Sequence, residues 1–151
     1  MSASTRPFRE EHEHLLEHVE HVRQAAIELP ELDVDGRKLL LARVQTFLHE
    51  TLIPHAEAEE RVLYPAVGEL LGHPEATAPM VHDHLVIKEH AAALAETEPG
   101  DVQRLQELLY GLYALVVAHF RKEEELYLPL LERDPAKAEL LIEEMAGEHV
   151  H

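Results

Sequence analysis

Two stretches of the chain place residues capable of chemistry at a repeated spacing: "HAEAEERVLYP" at 55–65 and "HFRKEEELYLP" at 119–129. Each opens on a His, sets a Glu four residues later, and runs into a Tyr and a Pro. On a helix, residues four apart share one face, so His55 and Glu59 point together, as do His119 and Glu123. Imidazole and carboxylate side by side are oxygen and nitrogen ligands for a cation. They suit iron or manganese, and such a set also accepts zinc. One such pair on an acidic helix is usually a solvated face. What matters is whether both copies sit in the core.

The elements that must position them are marked by breakers. "LPELDVDG" (29–36), "GHPEATAP" (72–79), "TEPGD" (97–101) and "ERDPA" (132–136) divide the chain into helical segments at about 5–29, 36–71, 79–97 and 101–132, with a tail helix at about 135–147. Asp35, Asp101 and Asp134 stand where N-caps belong. Pro54 falls inside the second segment and is expected to bend it. Four amphipathic helices with short connections predict an all-α protein, an up-down-up-down four-helix bundle followed by a short C-terminal helix.

At about 100° per residue, the fourth helix has an apolar stripe of Leu105, Leu108, Leu109, Leu112, Val116, Leu126 and Leu130, with His119 and Glu123 in its middle. His55 and Glu59 share a face with Leu48, Leu52 and Leu63. Met80, Ile87, Ala91 and Leu94 define the third helix's buried face, with His84 within about 40° of its centre. Phe8, Leu15, Val19, Val22 and Ala26 define the first, with His12 within about 45°. Each helix therefore directs one His inward, and two add a Glu. Burying carboxylates costs several kcal/mol each without a partner, and no Lys or Arg is core-facing, so a pair of cations is the expected compensation. His14, His21, His49, His73 and His82 fall off these faces or in loops and are expected in solvent, with His149 and His151 in a loose tail.

The bulk numbers bound the alternatives. At 151 residues and 46% apolar the chain is about one domain with a real core. A formal net charge of −17 excludes the basic footprint of a nucleic-acid binder and disfavours anionic lipid. Without Cys there are no disulfides, thiolate metal sites or Cys nucleophiles. No apolar run reaches the ~18 residues of a membrane span and no leader segment opens the chain, so a cytoplasmic protein is expected. Phosphate loops and nucleophile motifs are absent too.

The pattern of His12, His55-A-E-A-Glu59, His84 and His119-F-R-K-Glu123 on four helices resembles the hemerythrin-like (HHE cation-binding) domain family, over about residues 5–132, leaving 133–151 as a C-terminal helix and tail. The resemblance implies two iron ions, oxo- or hydroxo-bridged, in the bundle core. It implies Glu59 and Glu123 as bridges, His12 and His55 on one iron, and His84 and His119 on the other. The oxygen carriers of that family have five His, with a HxxxH pair on the third helix; here Met80 and Lys88 flank His84 at that spacing. A further ligand is therefore expected from water, Tyr64, Tyr127, His18 or His90, the last two about 75° and 80° off their faces. The oxygen carriers also set an Asp five residues after the fourth-helix His, where this chain has Glu123 at four. Reversible oxygen carriage is thereby disfavoured. Three functions stay open. One is a di-iron protein that binds or reacts with O2, peroxide or nitric oxide, with catalase-like peroxide decomposition as its enzymatic form. The others are iron storage or sensing by metal-dependent folding, and a metal-free acidic interaction module. A monomer or weak homodimer is expected.

Overall fold

The computed structural model describes residues 3–150 of the chain, and side chains over 4–147. Among the described residues everything regular is helical. Helix α1 is Arg6–Glu28, α2 spans residues 34–71, α3 is Ala78–Glu96, α4 spans 102–131 and α5 is Pro135–Val150, with short 3₁₀ turns at Ala3–Thr5, Leu29–Glu31 and Pro74–Thr77. These are the four long helices and short C-terminal helix of a bundle. No described helix is long and apolar enough to cross a membrane.

The caps follow the sequence with one correction. Asp101 accepts from the Arg104 amide and Asp134 from that of Lys137. At α2 the cap is Asp33, which accepts from Gly36 at 2.8 Å, and Asp35 lies inside the first turn. Gly72 ends α2 at φ 81°, the left-handed conformation that glycine adopts without a Cβ clash. Helix α5 runs through His149 rather than fraying at 147, and His151 lies outside the described residues.

Helix α2 widens into π-helical turns at Leu48–Leu52 and Glu59–Leu63, and α4 at Glu123–Tyr127. Each is closed by an amide bonding five residues back: Ile53 to Leu48, Tyr64 to Glu59, Leu128 to Glu123. The next residue in all three cases is a proline: Pro54, Pro65 and Pro129. Proline has no N–H, and its ring crowds the carbonyl four residues back. A turn one residue wider ahead of the ring relieves that crowding, so the helix continues through the proline. The extra residue also slips the phase, which corrects the fourth-helix stripe. Leu126 is 61% exposed and Leu130 only half-buried, while Tyr127, Leu128 and Leu131 take the core positions.

Two apolar clusters fill the interior. One holds Leu15, Leu52, Ile87 and Val116; the other holds Phe8, Ala58, Met80 and Tyr127. Along every long helix the polar pair or single His falls between members of the two. Helix α5 packs Ala138, Leu141 and Met145 into the second cluster, beside Phe8, Val62 and Leu63. It closes the end of the bundle next to the polar layer.

Candidate metal centre

Between the two clusters lie six buried polar side chains, His12, His55, Glu59, His84, His119 and Glu123, each at most 3% exposed. Their inner atoms converge. Glu59 turns Oε2 toward His55 Nε2 (3.4 Å) and Oε1 toward the Nε2 atoms of His84 (3.3 Å) and His119 (3.8 Å). Glu123 turns Oε1 toward His12 Nε2 (3.2 Å) and Oε2 toward His119 Nε2 (3.5 Å). Each carboxylate thus offers one oxygen to each of two pockets, one lined by His12 and His55 and the other by His84 and His119. Donor atoms of His12, His55 and Glu59 all lie within 4.8 Å of one another, as do those of Glu59, His84 and His119.

The donor set fits cations. Two ligands set at right angles about 2.1 Å from one ion stand about 3 Å apart, and the ring nitrogens of His84 and His119 are 3.0 Å apart. Two nitrogens at that distance hold one hydrogen between them at most. Glu123 Oε1 is fully buried without a hydrogen bond, its His12 neighbour lying off the bonding direction. A buried carboxylate oxygen in that state is costly unless positive charge meets it, from a protonated His12 in the metal-free protein or from a bound cation.

A seventh group was among the alternatives the sequence left open. The Tyr64 hydroxyl donates to Glu123 Oε2 at 2.8 Å and lies 2.9 Å and 3.1 Å from the Nε2 atoms of His119 and His84. It belongs to the His84/His119 pocket. Tyr127 instead packs its ring edge-on against Tyr64, with centroids 6.0 Å apart. His18 and His90 stand outside the cluster. The ring of His18 stacks on Phe47 at 5.2 Å and lines a cavity of about 570 Å³ between α1 and α2. His90 donates from Nδ1 to the Val86 carbonyl and packs against Gly111, where a Cβ would stand 3.1 Å from its Nε2. His14, His21, His49, His73 and His82 are exposed, as their positions predict.

The backs of the four imidazoles meet carboxylates that the sequence pattern did not single out. Nδ1 of His55 bonds Glu11 (2.9 Å), that of His84 bonds Glu60 (3.0 Å), that of His119 bonds Asp83 (2.9 Å) and that of His12 bonds Glu124 (3.2 Å). His12 is further held by face-to-face stacking on Phe120, centroids 4.3 Å apart. The signal was an acid adjacent to one of the six clustered residues in every helix. A residue one step along a helix lies about 100° round, on the flank facing the next helix.

Electrostatics correct one expectation. The two buried glutamates are not uncompensated, because His12, His55 and His119 themselves carry charge. Burial opposes protonation of His12, yet pairing with Glu123 and Glu124 and the nearby charge of Glu59 raise it to about 9. Burial likewise opposes charge on His119, and pairing with Glu123 and Glu59 raises it to about 10. For His55 the same burial is outweighed by the charge of Glu59 and pairing with Glu11, and it rises well above the ordinary range. Burial works against the charge on Glu59, but His55 foremost holds it well below the usual carboxylate range. Tyr64 is pushed far up by burial and by both glutamates, and is a neutral phenol here.

The chain belongs to the hemerythrin HHE cation-binding domain family, whose model matches residues 4–131. The match ends before α5, which begins at Pro135. No curated protein and no solved structure shows a significant match. Family membership makes this a cation-binding domain, and among the described residues the His and Glu clusters are groups able to hold metal.

Proposed function

We propose that the chain is a non-heme di-iron protein that binds or reacts with a small oxidant or gas: O2, peroxide or nitric oxide. One observation carries the reading. Two buried carboxylates each present one oxygen to either of two His-lined pockets, the arrangement needed to bridge a pair of ions. His12 and His55 would hold one ion, His84 and His119 the other, with Glu59 and Glu123 across both. When bound, a pair of irons supplies an open coordination position and can exchange two electrons. The residues around it exclude bulk water, since all six are buried, and Tyr64 holds a proton at its hydroxyl, 2.8 Å from a bridging carboxylate. Metal-dependent folding finds less support, because charged histidines keep the core paired without metal.

The up-down-up-down course is supported by the outer acids. Glu11 and Asp83 precede their helix's ligand, while Glu60 and Glu124 follow theirs, and each reaches the next helix. A one-residue step flips its rotational sense when a helix reverses direction. Alternation before, after, before, after therefore fits four helices alternating in direction.

Metal content and the visible spectrum of protein reconstituted anaerobically with ferrous iron, before and after azide or peroxide, test the reading. About two irons per chain with bands that shift on addition are expected; no iron after reconstitution would overturn it. Tyr64→Phe is expected to keep both irons and, where the phenol ligates ferric iron, to lose a visible phenolate band. An identical spectrum would assign that position to solvent. His14→Ala should leave content and spectrum unchanged, being exposed, whereas His12→Ala should lower both.

A further inference from the structure

We infer that Glu11, Glu60, Asp83 and Glu124 form a closed ring of positioning residues that fixes all four imidazoles with Nε2 inward, and that they divide crosswise between the two metal pockets. The inference rests on the di-metal reading above. Every link is a bond from one helix to the next: Glu11 of α1 to His55 of α2, Glu60 of α2 to His84 of α3, Asp83 of α3 to His119 of α4, and Glu124 of α4 back to His12 of α1. No link joins an acid to its own helix's His, so each pocket is oriented by two acids. Glu11 and Glu124 serve the His12/His55 pocket, and Glu60 and Asp83 the His84/His119 pocket.

An imidazole that donates Nδ1–H to a carboxylate must present the Nε2 lone pair on its opposite side, toward the ion, once Nε2 is deprotonated. Without that partner the ring can flip or take the other tautomer, and its lone pair is lost to the pocket. The acids lie between inner core and solvent, as their burial shows: the Glu124 and Asp83 side chains are 31% and 16% exposed, against 3% and 1% for the histidines they hold. Asp83 is itself fixed, since the same Oδ2 that accepts from His119 also takes Lys122 Nζ at 2.5 Å. Lys122 precedes Glu123, so the α3–α4 link is anchored from both partners. A solvated acidic face would show neither the consistent use of Nδ1 nor closure of the cycle.

The test uses full-length ¹⁵N-labelled protein loaded with zinc, a diamagnetic probe for the same donors. Wild type should give four ligand imidazoles in the Nδ1–H form with Nε2 on metal. Asp83→Ala should remove the Nδ1–H resonance of His119 alone and weaken one zinc equivalent roughly 10- to 100-fold, leaving the resonances of His12 and His55 in place. Glu124→Ala should do the converse at His12. Asp83→Asn and Glu124→Gln, which still accept the bond, should restore the resonance and most of the affinity. Ala variants that bind both zinc equivalents within twofold of wild type would overturn the inference. So would Asp83→Ala disturbing His12 as much as His119. Should the Ala variants fail to fold, the Asn and Gln variants decide: folded protein with His119 or His12 in the opposite tautomer overturns it. Wild type that binds neither zinc nor iron would instead sink the di-metal reading beneath it.

Discussion

Glu123→Ala should lose bound iron and melt well below the parent, even when both are compared without metal. The side chain is fully buried, pairs with His12 and His119, and accepts from the Tyr64 hydroxyl. Removing it takes one of two bridging carboxylates from the proposed centre. It also strands charge: His12 and His119 owe their raised basicity in large part to Glu123. Breaking a buried pair from one side costs about 3–5 kcal/mol. For a domain of this size each kcal/mol moves the midpoint by about 2–4 °C, so a fall on the order of 10 °C is expected for metal-free protein. Calorimetry with and without iron, together with iron analysis, checks both effects. Glu123→Ala protein that keeps two irons would remove Glu123 from the bridge.

Glu59→Ala should resemble it, since Glu59 stands in the same relation to both pockets, whereas Glu125→Ala, only two residues from Glu123 and 62% exposed at its side chain, should do neither. That contrast separates a specific bridging role from a general need for acid in this segment.

Most of the inner layer was legible because core position and ligand chemistry conflict. A His and a Glu inside a leucine stripe must be compensated, and the repeat at 55–59 and 119–123 made coincidence implausible. The positions of His12 and His84 followed from helical phase alone. The outer layer was hidden by the chain's acidity. With 30 Asp and Glu in 151 residues, an acid beside a core-facing His or Glu looks like ordinary solvated surface, and only the Nδ1 distances distinguish it. The phase error at Leu126 has another origin. A regular 100° step cannot foresee a π turn, although Pro129 marked it and Pro65 marked its counterpart after Glu59. Read as signals for a widened turn, the Tyr and Pro endings of both phrases would have placed Tyr127 and Leu128 inward. The role of His as counter-charge is not legible from spacing, because an imidazole is charged at neutral pH only where buried carboxylates hold its proton.

That role makes the metal-free protein a pH-dependent object. His12 and His119 titrate at about 9 and 10 in the fold against 6.5 unfolded, and His55 is raised as well. A raised basic group contributes stability that is fully present below its unfolded value and lost as pH climbs through its folded value. Metal-free protein should therefore weaken steadily from about pH 6.5 to pH 10. The loss should reach several kcal/mol, since each tenfold gain in a group's proton affinity on folding is worth roughly 1.4 kcal/mol. Glu59 acts oppositely: its stabilisation is present above the unfolded carboxylate value and disappears as pH falls below it. The optimum of the metal-free form thus lies on the mildly acidic side of neutral. Metal reverses the slope on the alkaline side, because an ion at Nε2 must displace the protons held there, and uptake releases them. Zinc or ferrous iron should bind more tightly as pH rises from 6 to 9, and the gain in melting temperature on loading should widen over that range. Titration in two buffers of different ionisation enthalpy counts the protons released. A metal-free midpoint flat from pH 6.5 to 10, with no proton release on loading, would mean that His12, His55 and His119 are neutral before metal arrives, and that the buried glutamates are balanced in some other way.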